Sequence, residues 1–211
     1  MKHLILKDFL LLKGNTRLLP VFLMCFLVMM INNIEAASFI IPFLCTTMCI
    51  STFSYDDYNK WDAYAITLPK GRTKVVQGKY AFSILFILFG TLVAFLITSS
   101  ILLIQNKFVL EQLLGTIIGG FAGTIVVISV MYPILYKYGT EKGRLVTFLF
   151  IFIGSLVVGL GFEKLSFLQE NIPSIINLFE NFWYIIIPLL LIMIVSISYQ
   201  VSKNIYLKKE F

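Results

Sequence analysis

Apolar residues gather into six uncharged stretches along the chain, at 18–34, 36–53, 80–104, 113–136, 145–162 and 182–200. A hydrocarbon core about 30 Å thick is crossed by about 20 residues of helix, so each stretch predicts a transmembrane helix. The first is the weakest, because its strictly apolar part ends at Ile31. Asn32, Asn33 and Glu35 then predict a short outside turn that makes the first two helices a hairpin. The basic lead before residue 18 resembles the start of a signal peptide, but no small-residue cleavage pattern stands clear of the second stretch. A retained first helix is the expectation.

The gaps between the stretches differ in charge. Taken from the N-terminus, the odd gaps hold four, five, three and three Lys or Arg, and the even gaps none, one and one. Basic loops stay cytoplasmic, so both termini are expected inside and the chain reads as an all-α, polytopic membrane protein. Composition agrees: 59% of residues are hydrophobic and 13% charged, with a mean hydropathy of +0.92. The net charge of +6 suits anionic lipid headgroups rather than nucleic acid, for which the chain has no motif. Fourteen of the basic residues are Lys and three are Arg. That bias reads as AT-rich coding and predicts a bacterial cell membrane as the location.

Chemistry is sparse within the spans. No Asp, Glu, Lys, Arg or His falls mid-span, which disfavours a proton relay or an ion-coupled carrier. No HExxH, paired Asp or Ser/His combination points to an intramembrane hydrolase, so no catalytic and no metal-binding residue is expected. Cys45 and Cys49 share a helix face without a His or carboxylate beside them and, with Cys25, read as core thiols. His3 receives no role. No GxxxxGK[S/T] loop exists, so energy for uphill transport must come from another chain. Gly115, Gly119 and Gly123 make two GxxxG steps on the fourth stretch, and Gly159 lies among small residues of the fifth. Such faces permit close helix packing, within the chain or against a second subunit.

The most specific segment is 55–79, YDDYNKWDAYAITLPKGRTKVVQGK. A helix over 56–68 would place Tyr58, Trp61, Tyr64, Ala65 and Leu68 on one face. Asp56, Asp57 and Asp62 would lie in its early turns, where the dipole favours negative charge, and Pro69 would end it. Such an aromatic, amphipathic helix can rest in the lipid interface or seat in a socket on a soluble partner. Periodicity leaves both open.

The 59–80 segment NKWDAYAITLPKGRTKVVQGKY resembles the loop after the second helix of bacterial ABC-2 type transporter permeases. The opening MKHLILKDFLLLKGN and the 132–144 segment YPILYKYGTEKGR resemble the same family, nearest its small permeases for peptide and phenol-soluble modulin export and bacteriocin self-protection. The resemblance implies a type V exporter-like architecture. Residues 2–13 would form an elbow helix along the inner leaflet, with Ile5, Phe9 and Leu12 as its apolar stripe and Leu4 and Leu11 off it. Residues 56–68 would be the coupling helix seated on a separate ABC ATPase subunit through Asp56, Asp57, Tyr58, Trp61, Asp62, Tyr64, Ala65 and Leu68. Lys137, Glu141, Lys142 and Arg144 would supply a second cytoplasmic contact, and 163–181 an extracellular helical segment. The implied partners are two ATPase subunits, which bind ATP and Mg in place of this chain, a second copy of itself or a related permease, and membrane lipid. The implied function is ATP-driven export of amphipathic or hydrophobic peptides by a permease that is not itself an enzyme. The rival expectation is a non-transporting membrane immunity or assembly factor.

Overall fold

A computed structural model describes residues 2–14, 34–65, 67, 71–105, 110–171 and 173–209, without the side chains of 2, 13, 14, 34–37, 112, 144, 145 and 147–185. Nearly all the described residues are helical, with no strand among them. α1 spans Lys2–Gly14, α2 Ile34–Tyr58, α3 Trp61–Ala65, α4 Gly71–Ile104, α5 Leu110–Asn171 and α6 Pro173–Lys208. Among the described residues, four segments are long and apolar enough to cross a membrane: Ser38–Tyr58, Gly71–Ile104, Leu113–Gly143 and Ile186–Lys208. They contain most of the second, third, fourth and sixth apolar stretches. The first stretch lies outside the described residues apart from Ile34. The fifth, and the 163–181 segment, have helical backbone in α5 and α6, while their side chains, Val146 excepted, are outside the described set, so the packing expected at Gly159 lies there too.

The helices that carry these segments all outrun their apolar stretches. At 1.5 Å per residue the 34 residues of α4 measure about 51 Å, so its 71–79 portion projects beyond any hydrocarbon layer. α5 is interrupted at Gly139, where φ is 74° and ψ 179°. That left-handed φ suits glycine, which has no Cβ to clash. A new helix starts at Thr140.

α2 packs between α4 and α5, α6 packs on α5 and α4, and α1 and α3 lie across one end of the bundle. The core is densest at that end. Phe53, Tyr80, Tyr132, Tyr136 and Tyr206 are buried there, with ring centroids 4.8 Å apart for Phe53–Tyr132, 5.0 Å for Tyr80–Tyr132 and 5.2 Å for Tyr136–Tyr206. Tyr80 Oη lies 2.6 Å from Ser198 Oγ and 2.9 Å from Ser202 Oγ, and Ser198 donates to the Ser129 carbonyl at 2.5 Å. These links tie α4, α5 and α6 together with buried polar groups in pairs, as an apolar surround requires.

The glycines of α5 divide between two faces. Among the described residues, a Cβ on Gly115 or Gly119 would meet nothing within 4 Å. A Cβ on Gly120 would stand 2.8 Å from the Ser38 carbonyl oxygen, and one on Gly123 3.2 Å from the Phe39 ring. Among the described residues, the close approach of α5 to α2 therefore runs through Gly120 and Gly123. Pro42 supplies a reason, since it has no N–H to offer the Ser38 carbonyl four residues earlier. That carbonyl faces Gly120 instead.

Candidate functional site

Three local features shape the α1/α3 end. α2 stops at Tyr58, and Asn59 and Lys60 form a turn in which Lys60 takes φ 50°. Asn59 N donates to the Tyr55 carbonyl at 3.0 Å and Lys60 N to that of Asp57 at 3.2 Å, while Ala63 N starts the next helix on the Lys60 carbonyl at 3.2 Å. The single 56–68 helix expected from periodicity is thus two helices with a left-handed residue between them. A 3.6-residue phase cannot carry across such a break, so the expected aromatic face splits. Tyr58 and Tyr64 are 86% and 58% exposed, whereas Ala65 is fully buried and Trp61 largely covered. Leu68 lies outside the described residues.

The acidic residues of this segment each face a different element. Asp56 is buried, and its Oδ1 lies 2.5 Å from Lys7 Nζ of α1 and its Oδ2 2.7 Å from Lys79 Nζ of α4. Lys79 also reaches Asp8 of α1 at 3.0 Å and donates to Thr52 Oγ1 at 2.8 Å. Lys7 lies 3.4 Å from Asp8 and 4.2 Å over the Trp61 ring. Asp62 accepts from Tyr206 Oη at 2.8 Å and Lys209 Nζ at 3.3 Å. Asp57 Oδ2 accepts from Thr140 N at 3.1 Å, capping the helix that restarts after Gly139. That acceptor is 83 residues distant in sequence, where a cap is usually local.

The 137–144 segment meets the 56–68 segment at this point. Tyr58, Asp57 and Ser54 face Tyr138, Gly139, Thr140, Glu141 and Lys142 around a cleft of about 550 Å³. Lys137 is exposed, with Nζ 5.1 Å over the Tyr138 ring. Glu141 and Lys142 are exposed as well, and the Arg144 side chain is outside the described set. Of the expected contact residues, then, Asp57, Tyr58, Glu141 and Lys142 share one cleft. Asp56, Trp61, Asp62 and Ala65 are turned into the protein.

Sequence reading missed Lys7, Asp8 and Lys79. Asp8 carried a signal: it falls at i+3 from Ile5 and i−4 from Leu12, a carboxylate on an apolar stripe. The stripe itself is also rearranged. Ile5 and Leu12 pack on the core and Leu4 lies against Gly78, but Phe9 joins Leu6 and Leu10 on the exposed side at 52–56%. α1 therefore has two apolar faces, one on the bundle around Asp8 and one outward.

Helices long and apolar enough to span a bilayer make this a multi-pass membrane protein, with exposed aromatics at its polar end. Comparison with curated proteins and with solved structures returns no match. Residues 3–207 match the family described as ABC-2 family transporter protein, and with nearly its whole length covered this chain belongs to the ABC-2 transporter permeases.

Proposed function

We propose that this chain is the membrane-spanning subunit of an ATP-driven bacterial exporter, with six transmembrane helices and both termini cytoplasmic. The permease has no enzymatic activity of its own. It pairs with a second copy or a related permease, and two ATPase subunits, which hold ATP and Mg, dock on its cytoplasmic end. The observation that carries this reading is the cleft between Tyr58 and Tyr138–Lys142, with Tyr58 and Tyr138 exposed in its lining. Exposed tyrosines around a polar cleft are unfavourable to leave bare and suit a protein partner. The charge split of the loops supports a cytoplasmic location for this surface. An apolar cavity of about 480 Å³ between α4, α5 and α6, lined by Ile84, Phe121, Ile125, Leu191 and Val195, supports amphipathic or hydrophobic peptides as cargo, since apolar burial is the attraction it offers.

The test is affinity purification of the tagged permease from its native host with quantitative mass spectrometry. A stoichiometric ATP-binding subunit is expected, and Tyr58→Ala with Tyr64→Ala should reduce its capture while membrane insertion stays normal. Absence of any such subunit from a stable, inserted permease would overturn the exporter reading in favour of a non-transporting immunity or assembly factor.

A further inference from the structure

The contacts among Lys7, Asp8, Asp56 and Lys79 close on themselves. Each lysine touches both carboxylates: Lys7 lies 2.5 Å from Asp56 and 3.4 Å from Asp8, and Lys79 lies 2.7 Å from Asp56 and 3.0 Å from Asp8. The result is a ring of alternating charge drawn from three elements, α1, α2 and α4. Lys79 and Asp8 side chains are 4% and 3% exposed. Buried ion pairs add little net stability over apolar packing, and their best-attested use is to enforce one arrangement of the elements that carry them. The ring forms where α1 crosses α4, beside the Leu4–Gly78 contact, and Lys7 extends it to α3 by covering the Trp61 ring at 4.2 Å.

We propose that Lys7 and Asp8 are positioning residues that make α1 part of the moving body, so that force applied to α3 by an ATPase is delivered to α1 and α4 together. This rests on the docking reading above. A helix held only by apolar contacts at the membrane surface could slide as α3 moved. A helix bearing two members of the ring leaves only by breaking the Lys7–Asp56 and Asp8–Lys79 contacts together and carrying both of its charges out at once. The outward face of α1, with Leu6, Phe9 and Leu10, is then carried through the lipid interface with each stroke. α1 acts as a lever and not as a fixed anchor.

The experiment uses two charge-balanced variants. Lys7→Met with Asp8→Asn removes both α1 members and leaves the Lys79–Asp56 pair. Asp8→Asn with Lys79→Met leaves the Lys7–Asp56 pair, which still ties α1 to α2. Neither strands a net charge, so both are expected to insert. Spin labels at His3→Cys and Ala63→Cys, in a chain whose native cysteines are alanine, report the α1–α3 distance by pulsed electron resonance. In the permease alone, the distance distribution should broaden in the first variant and remain narrow in the second. In the reconstituted complex with its ATPase, Mg-ATP should leave the distance unchanged in the wild type and the second variant, and change it in the first. A narrow distribution in the first variant overturns the tie itself, whether or not an ATPase binds. An ATP-dependent distance in the wild type overturns the lever while leaving docking intact. Failure of the wild type to bind any ATPase removes the docking reading and the lever with it, and is seen by co-purification before any label is read. Should the first variant fail to insert while the second inserts, the wild-type ATP response still decides the lever.

Discussion

Replacing Trp61 separates two roles that its position in the chain confounds. A tryptophan offers up to about 250 Å² for burial, and Trp61 is largely covered between α1 and the core. At ~25 cal/mol per Å², losing about two thirds of that area, the share its burial leaves covered, costs about 4 kcal/mol. The Lys7 ammonium 4.2 Å over the ring adds ~1 kcal/mol for a partly desolvated cation on an aromatic face. Against this, Trp61 Nε1 is buried with no hydrogen-bond partner among the described residues, and its removal returns ~1–2 kcal/mol. Trp61→Ala should therefore destabilise the isolated permease by ~3–4 kcal/mol. Trp61→Phe keeps an aromatic face and discards the buried N–H, so it should match or exceed wild-type stability. The assay is unfolding of the purified permease in detergent, in parallel with ATPase capture at a temperature where both variants are folded. There Trp61→Phe should capture the ATPase normally, because Tyr58 and Tyr64 carry the exposed surface. If Trp61→Ala leaves the isolated permease as stable as wild type and abolishes capture, the ring faces the partner and the reasoning is wrong.

The two neighbouring glycines of α5 should respond oppositely. Gly120→Ala puts a methyl 2.8 Å from the Ser38 carbonyl oxygen and should cost ~1–3 kcal/mol in the same unfolding assay, whereas Gly119→Ala, open among the described residues, should be neutral or stabilising. Equal losses at both positions would refute the assignment of Gly120 as the α2 contact. Asp57→Ala should free Thr140 N, lower local stability by about 1 kcal/mol and speed hydrogen exchange over 140–143, with Asp57→Asn close to wild type. For the six-helix topology, single cysteines at Thr140 and Ser166 should label from opposite sides of intact cells. Labelling of Thr140 from outside would invert the proposed orientation.

The sequence by itself determined the class of molecule, through quantities that are properties of short windows. Hydropathy over about 20 residues decides whether a helix can cross a bilayer, and the second, third, fourth and sixth stretches are helices of that kind. The three loop segments that resemble ABC-2 permeases were legible for the same reason: each is contiguous. Tertiary structure decided everything that depends on residues distant in the chain or on a change of helix phase. Lys7 and Asp8 lie beside Asp56 and Lys79 only because α1 crosses α4, and no window contains all four. One left-handed residue, Lys60, turned Trp61 inward and left Tyr58 and Tyr64 outward, a rotation that periodicity cannot register because it assumes an unbroken helix. Of four glycines within nine residues of α5, Gly120 and Gly123 meet α2, since Pro42 on the opposing helix presents the Ser38 carbonyl there. Composition marks where backbones are able to approach; the partner helix decides where they do.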